Sequence, residues 1–150
     1  MARPNYLWRA MSKPFDYIPA ARKAPVFVFG DHASCHIPNE YNDLGLSGED
    51  LTRHIAWDIG TETVVRTLCA EMGCAGQVAG VSRLVIDLNR VLSMATLIPE
   101  TSDETIIPGN QKIDDEEWQK RVDTYYTPYH DNIGRALDCL LYTSPSPRDS

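Results

Sequence analysis

The 150-residue sequence reads as an α/β domain, and three observations carry that reading. An apolar run, Pro25 to Gly30 ("PVFVFG"), stops abruptly and is followed at once by Asp31 and His32. Helical apolar spacing recurs over 58–72 and again from residue 114 onward. Between them, 77–81 and 82–90 read as strands, so strands and helices alternate. Because the 25–30 run is apolar on both faces, the sheet is expected to be mostly parallel and covered by helices in three layers. About three strands are legible, few for such a sheet, so the layer is expected to be incomplete.

Residues 1–24 contain Pro4, Pro14 and Pro19 and are expected to form an irregular arm ahead of a domain spanning 25–141. The strand 25–30 leads into a loop through His32 to Pro38. In "LSGEDLTRHIAW", Ser47 followed three residues later by Asp50 marks the start of a short helix. The next helix runs from Asp58 to Met72. It carries Val64, Val65, Leu68, Cys69 and Met72 on one face and has Gly73 as its C-terminal cap. "SRLVIDLNR" alternates Leu84, Ile86 and Leu88 with Arg83, Val85 and Asp87, as a strand does. Residues 91–113 are expected to be a long loop. From Asp114, with Glu117 placed for a capping box, a long helix is marked by Trp118, Val122, Tyr125, Tyr129, Ile133, Leu137 and Leu140, kinked or split at Pro128. "YTSPSPRDS", 142–150, has too little apolar content to pack.

Composition narrows the function. The net charge of −7 argues against a nucleic-acid partner. No apolar run approaches the roughly 20 residues needed to cross a bilayer. The N-terminal stretch has basic residues but no apolar core of the secretory kind, although its Arg-containing, acid-poor composition leaves an organelle presequence open. Cys35, Cys69, Cys74 and Cys139 show no paired spacing, which fits reduced thiols in the cytoplasm.

Ligands of open α/β sheets bind beyond the carboxyl ends of the strands, where His32 stands. The alternative is a histidine hydrogen-bonded in a loop. Asp58 is either a first-turn acid favoured by the helix dipole or a carboxylate metal ligand. Zinc commonly takes two histidines and a carboxylate, of which His32 and Asp58 would be two. Arg83, Asn89 and Arg90 flank "LVIDL" and, in so acidic a chain, point to an anionic small-molecule substrate; an ordinary pair with Asp87 is the alternative. Cys35 and His36 offer a zinc cluster with His32 or a thiolate nucleophile. His130 either faces the crevice or packs, and His54 reads as surface.

Six stretches, "GDHASCHIP", "LGLSGEDLTRHIAWDIG", "SRLVIDLNR", "TLIPE", "IPGN" and "YYTPYHDNI", occur in order over residues 25–140. Together they resemble the N-formylglutamate amidohydrolase family. The resemblance implies a fold like that of zinc-dependent exopeptidases and hydrolysis of N-formylglutamate, or a similar N-acyl amino acid, to formate and the amino acid. It implies His32 and Asp58 as ligands of Zn2+ or another divalent metal, and Arg83, Asn89 and Arg90 as shaping the substrate site, with His130 taken as a further substrate-binding candidate. Cys35 and His36 depart from the Asn-Arg commonly found there. The family continues into a "HSFTP"-like strand motif and a later Glu, expected to supply the third ligand and the general base. Neither is in this sequence, and "LLYTSPSPRDS" is similar to a translated sequencing adapter. The 150-residue chain is therefore expected to be a truncated, inactive piece of an active enzyme. Two other readings stay open: a non-catalytic module that binds small carboxylates, and a cysteine hydrolase using Cys35.

Overall fold

The computed structural model describes residues 13–143. Three strands, β1 (Phe15–Ile18), β2 (Phe27–Gly30) and β3 (Ala75–Ala79), form a sheet in the order β1-β3-β2. Helix α1 (Thr61–Met72) connects β2 to β3, which pair in parallel with Phe27 opposite Ala75. β1 pairs with β3 antiparallel, Phe15 opposite Ala79, so the sheet is mixed rather than mostly parallel. The α/β class holds.

The expected irregular arm is corrected over Phe15–Ile18. Pro14 and Pro19 bracket that strand instead of interrupting it, so no ladder hydrogen bond is lost to either ring. Residues 1–12 and 144–150 lie outside the described residues.

Alternation along the strands sends side chains to two different cores. Gly30, Gly76 and Val78 face α1 and its Val65 and Cys69. A Cβ on Gly76 would collide with the Val28 carbonyl and the Cys69 Sγ, so glycine there lets helix and strands close together. Phe15 and Gln77 face the other way: Phe15 meets the Tyr129 ring edge-on, and Gln77 donates from Nε2 to the Tyr129 carbonyl at 3.0 Å. The sheet thus lies between α1 and the C-terminal helix.

α1 begins at Thr61, not Asp58, and ends at Gly73 in a left-handed conformation, φ 65°. Of its expected apolar stripe only Val65 and Cys69 are buried; Val64, Leu68 and Met72 are exposed, because a three-stranded sheet covers only part of the helix face. Ser47 Oγ accepts from the Asp50 amide at 3.2 Å, but the expected helix is reduced to the single 3-10 turn Asp50–Thr52, whose cap position is Glu49. The 91–113 loop contains a small hairpin, β4 (Thr101–Ser102) with β5 (Thr105–Ile106).

Helix α2 (Asp115–Arg121) starts where expected: Asp114 accepts from the Glu117 amide at 2.8 Å. The Glu117 carboxylate does not complete the box; it accepts from Arg121 Nε at 2.7 Å instead. A π turn (Val122–Tyr126) follows, and α3 (Thr127–Thr143) continues from it. Pro128 has no N–H to donate, and the widened turn just before it lets the helix pass through without splitting. The buried stripe runs from Val122 through Ile133, and Leu137 is exposed.

The expected strand at 82–90 is not a strand. Leu84, Val85 and Ile86 are consecutive and all fully buried, in turns that form the centre of the larger core. The Leu84 and Val85 carbonyls are taken by side chains rather than by a neighbouring strand. Asn110 Nδ2 donates to the Leu84 carbonyl at 2.8 Å, and buried Arg121 donates from Nη1 to the Val85 carbonyl at 3.0 Å. Arg121 also donates to Asn110 Oδ1 at 2.7 Å and lies over the Tyr41 ring. An apolar run in sequence reports burial, and here burial is achieved without a ladder.

Candidate active site

Because β2 and β3 are parallel, the segments leaving their carboxyl ends emerge side by side. β2 delivers Asp31 and His32; β3 leads through Gly80 into 82–90. A third segment reaches the same place: the Asp58 amide donates to the His32 carbonyl at 2.9 Å. Ser82 Oγ donates to the Ala56 carbonyl at 2.7 Å, tying that segment to the start of 82–90.

At the centre His32 is held between two carboxylates. Its Nδ1 lies 3.2 Å from Asp58 Oδ2, and its Nε2 lies 2.6 Å from Asp87 Oδ1. Arg83 donates from Nη1 to the other Asp58 oxygen at 2.9 Å. Asp87 Oδ2 lies 3.7 Å from both Arg83 Nη2 and Arg90 Nε, and Asp87 Oδ1 accepts from the Asn89 amide at 3.0 Å. The arrangement has an inner and an outer side. His32 and Asp87 are 7% and 5% exposed, whereas the Asp58 and Arg90 side chains are 53% and 43% exposed.

The electrostatics follow. Burial opposes a charged His32 ring, but the Asp87 hydrogen bond and charge, aided by Asp58, outweigh it and raise the His32 pKa against the opposing Arg83 charge. Burial likewise opposes a charged Asp87, and the His32 bond and charge, the Asn89 amide and Arg83 outweigh it and lower the Asp87 pKa. Both directions describe one buried ion pair.

The structure brings together His32, Asp58, Arg83, Asn89 and Arg90. Asp58 is not the helix cap that its position allowed; Gly60 occupies that place, and the carboxylate turns to His32 and Arg83. His130 stands behind the 87–90 turn, with Nε2 2.9 Å from the Leu88 carbonyl. A carbonyl only accepts, so that nitrogen carries a proton. Cys35 is half-buried, and burial, with the Glu62 charge, pushes its thiol up, away from the thiolate that nucleophilic chemistry requires. Among the described residues, no three His, Cys, Asp or Glu side chains converge as a metal site.

Asp87 is the residue whose part is largest and least foreseen. Read as an Arg83 partner, it is also the carboxylate that orients His32. The signal was present: an acid inside an apolar run must have partners if the run is buried. Asp31 and Tyr129, whose hydroxyl donates to Asp31 Oδ1 at 2.6 Å, carried no such signal.

The fold and site define an α/β protein with a buried His–Asp centre and an arginine-bearing rim at the carboxyl ends of its parallel strands. Residues 24–145 match the N-formylglutamate amidohydrolase family, and the chain belongs to it. The chain is also similar to the crystal structure of a gene product from Agrobacterium tumefaciens, with 36% identity and a TM-score of 0.79. That likeness covers 82% of this chain and 49% of the other, so the chain spans about half the length of that relative. No curated protein matches it. No helix among the described residues is long and apolar enough to cross a membrane.

Proposed function

We propose that the chain carries the metal-holding and substrate-anchoring part of a metal-dependent amidohydrolase that cleaves N-formylglutamate or a similar N-acyl amino acid. The observation that carries this reading is His32 between Asp58 and Asp87, with Arg83 and Arg90 alongside. A fold related to zinc-dependent exopeptidases and a place in the cytoplasm belong to the same proposal; the four cysteines, none in a disulfide, are compatible with a reducing compartment.

The donors fit a small divalent cation. His32 Nδ1 and Asp58 Oδ2, 3.2 Å apart, can share one zinc-sized ion with bonds of about 2.0–2.2 Å each. Asp87 accepts the Nε2 proton, the usual orienting bond of a ligand histidine, and the proton between Nδ1 and Asp58 would have to be displaced for a metal to meet the Nδ1 lone pair. When bound, zinc would lower the pKa of its water and polarise the formyl carbonyl. Arg83 occupies Asp58 Oδ1 and so turns Oδ2 toward His32. Arg90, held only at 3.7 Å and substantially exposed, has its planar fork free for a substrate carboxylate, with Asn89 beside it. Two protein donors bind zinc weakly, so the 150-residue chain is expected to bind metal and dicarboxylate without appreciable turnover.

The test combines equilibrium dialysis against zinc with enzymatic detection of formate released from N-formyl-L-glutamate. Zinc bound by the unsubstituted chain and lost in both His32→Ala and Asp58→Ala supports the site; zinc retained by both removes it. Formate release by a longer homologue but not by its His32-equivalent variant supports the reaction. Dicarboxylate binding with no formate from either protein favours a binding module.

A further inference from the structure

One turn of the C-terminal helix grips the rim of the site from behind. Tyr126 donates its hydroxyl to the Arg90 carbonyl at 2.8 Å, and His130 donates from Nε2 to the Leu88 carbonyl at 2.9 Å. Asn89 lies between the two anchored carbonyls. The Tyr126 and His130 rings support each other at 4.3 Å, and Tyr129 meets His130 edge-on while its hydroxyl holds Asp31. Tyr126 is the last residue of the π turn, and Tyr129 and His130 lie in the first turn of α3 beyond it. A π turn alters the phase of the helix beyond it, and such turns are frequent at functional sites. On the other side of the same short segment, Asp87 takes the Asn89 amide and holds His32. The segment is therefore fixed at both ends of its backbone, while the Asn89 and Arg90 side chains stay exposed.

We infer that Tyr126 and His130 are positioning residues that set the reach of Asn89 and Arg90 toward the carboxylate of the substrate, so that the helix, and not the loop alone, determines anion recognition. The inference rests on the substrate reading above. It gives His130 a role through Leu88 and none in touching the substrate.

The test measures two affinities on the 150-residue chain: zinc, by competition with a chromophoric chelator, and glutarate or N-formyl-L-glutamate, by calorimetry with zinc present. Tyr126→Phe and His130→Leu are each expected to weaken dicarboxylate binding about 3- to 10-fold, the scale of one lost hydrogen bond, and to leave zinc affinity unchanged. His130→Gln, which keeps an N–H donor for the Leu88 carbonyl, is expected to stay within about twofold of the unsubstituted chain. Tyr126→Phe keeps its ring against His130 and serves if His130→Leu fails to fold. Equal dicarboxylate affinity in all variants overturns the inference while leaving the substrate reading intact. A parallel loss of zinc and dicarboxylate overturns it too, since that marks general loosening. Failure of the unsubstituted chain to bind either dicarboxylate overturns the substrate reading, and the inference with it.

Discussion

The sheet and the 82–90 segment lie side by side and are held by different means. β1, β2 and β3 are tied through a backbone ladder, indifferent to which side chains the strands carry. The 82–90 segment, buried from Leu84 to Leu88, has no ladder; Asn110, Arg121, Tyr126 and His130 each take one of its carbonyls. A ladder tolerates single substitutions, whereas a backbone satisfied by side chains depends on each of them. The residues proposed to bind substrate sit on the second kind of support.

The largest break in that comparison is Arg121→Ala. It removes a guanidinium, 1% exposed, from the Val85 carbonyl, Asn110 and Glu117 at once. We expect a loss of about 3–5 kcal/mol, or a fall in melting temperature on the order of 10 °C, checked by urea and thermal unfolding. Loss of under about 1 kcal/mol would show that the segment does not need its side-chain anchors.

Asp87→Asn acts at the site itself. Removing the orienting carboxylate is expected to lower zinc affinity about 10- to 100-fold, read by chelator competition. An unchanged affinity would mean that Asp87 serves only to pair the arginines.

A smaller effect is expected in the pH dependence of stability of the chelated protein. His32 has its pKa raised above the usual 6.5, so its contribution is complete below that pH and lost as pH climbs through the raised value. Asp87 has its pKa lowered below the usual 3.8, so its contribution is complete above that pH and lost as pH falls through the lowered value. Melting temperature in chelator should carry a part due to this pair that is greatest between those limits, and Asp87→Asn should remove that part.

The smallest effect belongs to the sheet. Tyr17→Ala replaces a half-exposed strand residue opposite Gln77 and leaves the ladder intact. It should cost about 0.2–1 kcal/mol, as a cross-strand pair does, in the same unfolding assay. A loss rivalling that of Arg121→Ala would erase the contrast between the two regions.

The sequence by itself determined what is written in neighbouring residues. The β2 run, α1 with Gly73 at its end, and the Asp114 cap were legible because each is a local pattern of burial, backbone freedom or capping. So was the position of His32 beyond a strand, and six short stretches sufficed for the family. Tertiary structure decided the rest. An apolar run such as Leu84–Val85–Ile86 states only that it is buried; whether a ladder or a set of side chains satisfies its carbonyls depends on Asn110 and Arg121, far along the chain. The short strand Phe15–Ile18 needs β3 to exist, and without that partner its prolines read as breakers. The pairing of His32 with Asp87 spans 55 residues and that of Tyr129 with Asp31 spans 98. No local propensity encodes such contacts, because they form only when folding brings distant polar groups into a space from which water has been removed.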